Sequence, residues 1–171
     1  MNNVLLISES TLKKYTLIND NMDGVYLLPA IQMAQDIDLD TAIGTKLCNK
    51  LKALVMTGDI TNNKNFADYK KLLDDYVTPY LAWQTMTAVQ ISIDYKMTNS
   101  GVIQNEDEKK SHLDYKNAAA LRNQYQKYAN AFLTKLKNYL LSNSSKYPEY
   151  FQCEDYQPAE EGQLCSIYLG D

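Results

Sequence analysis

The chain has 171 residues, 45% apolar and 22% charged, with a formal net charge of −4 and a pI of about 5.0. Those values suit one folded domain with an ordinary core and exclude wholesale disorder. Of 17 basic residues only Arg122 is an arginine, which argues against a nucleic-acid reader, because bidentate contacts to guanine and phosphate are mostly arginine's.

In chain order, the apolar run Val4–Ile7 is short and has no basic flank, so it does not read as a secretory leader. Ser8 to Tyr15 opens with good N-cap residues and predicts a short helix. After the turn cluster Asn19–Gly24, a second helix is expected from Val25 or Leu28 to Asp36. Pro29 would sit in its first turn, and Leu28, Ile31, Met33 and Ala34 would form its apolar face.

Asp38 or Asp40 is placed to cap the next helix, which runs to Met56. Leu39, Ile43, Leu47, Leu51, Leu54 and Val55 give that helix one broad stripe. Gly44 inside it marks either a break after a single turn or a close helix–helix approach. Gly58 falls at its end.

Phe66–Tyr76 reads as another helix, with a boundary at Val77–Pro79, where Thr78 would cap and Pro79 would take the first helical position. A long helix then follows from Pro79 to Thr98. It carries two stripes, Ala82, Met86, Val89, Ile93, Met97 and Trp83, Thr87, Ile91, Tyr95. A helix apolar on two sides is central in its bundle or covered by a neighbouring subunit.

Asn99–Gly101 stops that helix, and Val102 and Ile103 suit a very short strand. Residues 104–110 are charged and read as an exposed loop. The last long helix is expected from Ser111 to Leu141, with a seam at Ala118, Leu121, Tyr125, Tyr128, Phe132, Leu136 and Tyr139. Tyr147–Phe151 adds a turn of helix.

The expected fold is therefore all-α. It is a bundle with two long antiparallel helices and shorter N-terminal ones over 1–151, followed by an extended C-terminal tail over 152–171. No window is apolar enough to span a membrane.

Signs of chemistry are sparse. Neither of the glycine-rich phosphate-cradling patterns is present. His112, the one histidine, lacks partners at useful spacing. Cys48, Cys153 and Cys165 form no Cys-x-x-Cys pair and read as free thiols, with a Cys153–Cys165 disulfide as the alternative. Asp36-x-Asp38-x-Asp40 resembles the start of a calcium loop, but Thr41 and Leu47 stand where Gly and Glu are required. No catalytic residue, cofactor or metal site is expected, and an enzyme is disfavoured. The 14 tyrosines, apolar bodies with polar tips, suit half-wet contact surfaces. Trp83, Tyr95, Tyr125, Tyr128, Ile167, Tyr168 and Leu169 are the candidate contacts with partners or other subunits.

One pattern goes further. Pro29-x-Ile31-x-x-Ala34-Gln35-Asp36-x-x-Leu39, with Gly44 and Leu47 beyond it, resembles the small helical head-to-tail connector proteins of tailed phages. It looks closest to the neck ring proteins of crAss-like and related Bacteroidetes phages. Val77–Ala82 opening a long helix, Lys96–Val102 with its Gly101, and Tyr139–Tyr150 resemble later blocks of that family in the same order. The resemblance covers residues 5–151. Cys48 departs from it, standing where the family often has an aromatic.

The resemblance implies a virion protein made in the host cytoplasm. It would form a homo-oligomeric ring, commonly of twelve copies, in the neck between portal and tail. Its partners would be the portal protein and an adjacent neck or tail protein. Genomic DNA would pass through the ring at ejection without sequence-specific binding, and an acidic balance suits such a conduit. Residues 166–169 would reach a neighbour's edge or groove. The alternative is a cytoplasmic helical adaptor acting by protein–protein contact.

Overall fold

Ser8 starts the first helix: its hydroxyl accepts from the Thr11 amide at 3.1 Å, capping α1 (Glu9–Tyr15) as its residue type demands. The computed structural model describes residues 4–16, 18, 22, 24–98, 101–104 and 115–151. It shows an all-α bundle whose one departure, among the described residues, is a two-stranded hairpin.

Helix α2 (Gly24–Met33) passes without interruption into a π-helical stretch, Ala34–Leu39, and then into α3 (Asp40–Ile43). Pro29 therefore lies inside a helix rather than in a first turn. Asp38 and Asp40 do not cap a helix start, because the backbone is already helical there. The true break is at Gly44, whose φ of 82° and ψ of 147° suit a residue without a Cβ. Asp40 reaches across that break to accept from the Thr45 hydroxyl at 2.8 Å.

Helix α4 (Thr45–Thr57) buries Leu47, Cys48, Leu51 and Leu54. It ends at Gly58 in the left-handed conformation, φ 75°. The short α5 (Asp59–Asn62) and a 3₁₀ turn, Lys64–Phe66, lead into α6 (Ala67–Leu72).

The expected boundary at Val77–Pro79 does not form. α6 continues through a second π turn, Leu73–Val77, into α7 (Thr78–Asp94). The Thr78 amide donates back to the Leu73 carbonyl, and Thr78 itself is helical. A proline clashes with the carbonyl four residues before it, and the looser π winding immediately upstream gives Pro79 room.

Helix α7 is central: α1, α2, the first π stretch and α8 (Tyr115–Ser142) all pack against it. It ends at Asp94, short of the predicted Thr98. The chain from Tyr95 is instead a strand, β1 (Tyr95–Thr98), paired antiparallel with β2 (Gly101–Gln104). The strand expected at Val102 and Ile103 is thus half of a hairpin. α7 and α8 are the two long antiparallel helices, since Tyr76 just before α7 stacks on Tyr139 near the end of α8, while Trp83 meets Tyr125 and Tyr128. After a 3₁₀ turn, Ser144–Lys146, α9 (Pro148–Phe151) folds back against α4.

One core joins these elements. Leu12, Leu27, Ile31, Leu39, Ile43, Leu47, Leu51, Leu72, Leu81, Leu136, Leu140 and Tyr147 are its largest fully buried side chains. The stripe predicted from Leu39 to Leu54 is buried throughout, with Val55 at its margin. The predicted face of α2 is wrong in two places: Leu27, Ala30, Ile31 and Ala34 point inward, and Leu28 and Met33 are exposed. In α8 the buried positions are Tyr125, Ala129, Leu136 and Leu140, so Leu121 and Tyr128 of the predicted seam lie outside the core.

Candidate interaction surface

The family-like pattern of residues 29–47 folds into a clamp. Gln35 sits in the first π stretch with 2% of its surface exposed. Its Oε1 accepts from the Leu6 amide at 2.7 Å, and its Nε2 donates to the Val4 carbonyl at 2.9 Å. One side chain thus pairs with the backbone of the N-terminal segment as a strand would, and that pairing lets Leu6 and Ile7 enter the core.

Asp36 Oδ1 accepts from Lys52 Nζ at 2.8 Å and from Gln35 at 3.2 Å. Burial pushes its carboxyl up, but the bonds from Lys52 and Gln35 outweigh burial and hold it below the ordinary value. Asp38 accepts from Gln84 Nε2 at 2.9 Å, and Gln84 in turn accepts from Gln126 at 3.3 Å, tying the π stretch through α7 to α8. The three aspartates thus serve three different partners. No metal-holding group of three or more such residues occurs among the described residues. Leu39 and Leu47 are core residues, Gly44 is the break, Gly101 pairs with Thr98 at the hairpin tip, and Pro29 is exposed.

Three of the predicted contact residues come together. The Trp83 ring lies 4.8 Å from that of Tyr128 and 5.8 Å from that of Tyr125. Tyr125 is buried, Trp83 half-buried and Tyr128 exposed, so the cluster mostly joins α7 to α8 and offers only its outer ring. The Tyr95 backbone is in β1, and its side chain lies outside the described part. Ile167, Tyr168 and Leu169 fall outside the described residues, as do His112, Cys153, Cys165, the 105–110 loop and the whole 152–171 tail.

A second aromatic group closes the other end of α8. Tyr147 donates to the Asp68 carbonyl at 2.9 Å, and its hydroxyl lies 3.2 Å from that of Tyr139. Tyr69 donates to Glu149 at 2.8 Å. Burial raises the pKa of Tyr69 and Tyr147, and the Glu149 carboxylate and the Tyr139 hydroxyl raise them further. Burial also pushes the Cys48 thiol up to about 11, which suits an inert core position.

The surface that the sequence reading missed is on α2. Val25, Leu28, Pro29, Met33 and, past the π turn, Ile37 run along its outer side. Val25 is 69% exposed, Ile37 58% and Met33 54%. The inner side of the same helix is fully buried, so α2 is apolar all round while covered on one side only. The signal was in the sequence: two interleaved apolar series, 27-30-31-34 and 25-28-29-33, in one short stretch.

No helix among the described residues is long and apolar enough to cross a membrane. No curated protein and no solved structure matches the chain. Residues 39–160 match the model of a family described only as "Family of unknown function". That match covers more than two thirds of the 171 residues, from the end of the first π stretch through α9, and the chain belongs to this family, DUF6712.

Proposed function

We propose that the protein is a structural subunit of a homo-oligomeric ring in the neck of a tailed phage, placed between portal and tail and enclosing the DNA path. The observation that carries this reading is the outer apolar stripe of α2, Val25 to Ile37, on a helix whose inner face is already used by the core. A closed ring needs a heterologous interface, meaning two different patches on each subunit that complement one another. The α2 stripe supplies one. The rim of Trp83 and Tyr128 with the exposed Leu121 supplies a second on α8. The order of family-like blocks from Pro29 to Tyr150 supports the neck as the location, and the scarcity of arginine suits a wall that DNA must slide past.

The experiment is direct. Particles carrying a tagged copy of this protein are imaged, and the tag is located along the particle axis. Ring density at the portal–tail junction carrying the tag is expected. A tag found elsewhere, or absent from particles, overturns the reading. A two-fold dimer of the purified chain that never joins particles would favour an adaptor.

A further inference from the structure

The two outward apolar faces carry opposite charge. From Gly24 through Ile43, α2, the first π stretch and α3 hold Asp36, Asp38 and Asp40 and not one basic residue. Over its 28 residues α8 holds Lys116, Arg122, Lys127, Lys135 and Lys137 and not one acidic residue. Helix α1, by contrast, mixes both signs and pairs Lys13 with Glu9 on consecutive turns.

The charges also fall at matching places. Leu28, Gln32, Asp36 and Asp40 follow one another at intervals of four beside the α2 stripe, so carboxylates gather at its downstream end. Asp36 is matched by Lys52 of its own chain, whereas Asp40 accepts from a neutral donor, the Thr45 hydroxyl. On α8, Leu121, Tyr128 and Lys135 follow one another at intervals of seven along an exposed side, with Lys127 beside them. The ammonium groups thus gather downstream of the apolar pair there too. Val25 and Asp40 lie fifteen residues apart and Leu121 and Lys135 fourteen. Each span is about 20 Å of helix at ~1.5 Å per residue.

We infer that the α2 face of one copy packs on the α8 face of the next, the two helices running in the same direction, with Val25 near Leu121, Met33 near Tyr128 and Asp40 near Lys135. This names the partner of each patch and so rests on the ring reading. Two different faces meet, and each copy keeps one of either kind for its other neighbour. Apolar burial supplies the attraction, while charge fixes partner and direction. α2 against α2 brings two acidic faces together, and α8 against α8 two basic ones. Reversing one helix sets Val25 against Lys135 and Asp40 against Leu121, so apolar groups meet charges.

The test uses the full chain in a Cys153→Ser/Cys165→Ser background, where the remaining Cys48 is buried. A light preparation carries Val25→Cys and an isotopically heavy one Leu121→Cys, both at exposed positions. They are mixed in equal amounts with a short bis-maleimide, and the products are read by mass spectrometry. Light–heavy links are expected several-fold above light–light and heavy–heavy ones. They should also exceed several-fold the links of a Met56→Cys chain mixed with the Leu121→Cys chain, since Met56 is comparably exposed on α4. Adding Lys127→Glu/Lys135→Glu to the heavy chain should keep its helical circular dichroism and cut the links several-fold. Links no more frequent than with Met56→Cys, a predominance of light–light links, or better linking of Val25→Cys to a Lys135→Cys chain than to Leu121→Cys would each overturn the assignment. The second result would give a two-fold α2 contact and the third the reversed direction. Imaging of tagged particles separates the two readings: links with a tag absent from particles keep this pairing and remove the neck, and a tag in the neck without links does the reverse.

Discussion

At the scale of single residues, polar groups in the interior decide more than their number suggests. Gln35 holds the backbone of Val4 and Leu6 at once, so Gln35→Ala leaves a buried amide and a carbonyl without partners. Each unsatisfied group costs about 1–3 kcal/mol, and a fall in the urea midpoint with freed N-terminal amides in hydrogen exchange is the expected outcome. Thr85 is the opposite case: its hydroxyl is buried with no hydrogen-bond partner among the described residues. Thr85→Val removes that unpaired group and is expected to raise stability by about 1 kcal/mol in the same titration. Cys48 sets an alkaline limit. Its thiol ionises near 9.0 in an unfolded chain and only near 11 in the fold, so from pH 9 upward the unfolded state sheds its proton first. Stability is complete below about pH 9 and drains as the pH rises through 11, with the half-buried Tyr69 and the buried Tyr80 and Tyr147 adding the same sign of slope above 10.0. Denaturant melts from pH 8 to 11 on the wild type and Cys48→Ala check it: the variant's decline should begin later.

At the scale of elements, composition and period made the helices legible, and their joints less so. The stripe Leu39–Leu54, the cap at Ser8 and the stop at Gly58 could be read because each rests on local chemistry. The two π turns could not. Leu73–Val77 and Ala34–Leu39 have no residue signature, and the rule that the residue before a proline leaves the helix was overridden at Thr78 by tertiary packing on α7. The inner and outer sides of α2 were confused for a related reason: when both faces are apolar, period alone cannot say which meets the core. Gly44 was readable as a break or a close approach, and its φ of 82° decides for the break. Gly44→Ala forces a Cβ into that region, at a cost of about 1–3 kcal/mol. A lower melting temperature with an unchanged helical spectrum is the expected result.

At the scale of the whole molecule, surface and core use the same helices. α7 is enclosed by α1, α2 and α8, and the outward sides of α2 and α8 carry exposed apolar residues, Val25, Leu28, Met33 and Ile37 on the one and Leu121 and Tyr128 on the other. Met33→Asp/Ile37→Asp changes two exposed positions, so it should leave monomer stability within about 0.5 kcal/mol of wild type, as surface changes usually do. It should also exclude the protein from assembled particles, which a complementation assay with quantified incorporation reads. Normal incorporation would take α2 out of the interface. This surface was half legible in the sequence. The surplus of tyrosine pointed to contact area, and Trp83, Tyr125 and Tyr128 do meet, but mainly each other.

The π stretch at Ala34–Leu39 also acts as a phase correction. An α-helix passes a full turn every 3.6 residues, so positions four apart, such as 25, 29, 33 and 37, creep around the axis. A looser turn takes that creep back, and Ile37 emerges on the same side as Val25 and Met33 while Gln35 still faces Val4 and Leu6. Deleting one residue from the stretch would yield an ordinary helix, with everything upstream rotated by about 100° against everything downstream. The outward stripe and the inward clamp would then be lost together, so one extra residue of chain keeps the two in step.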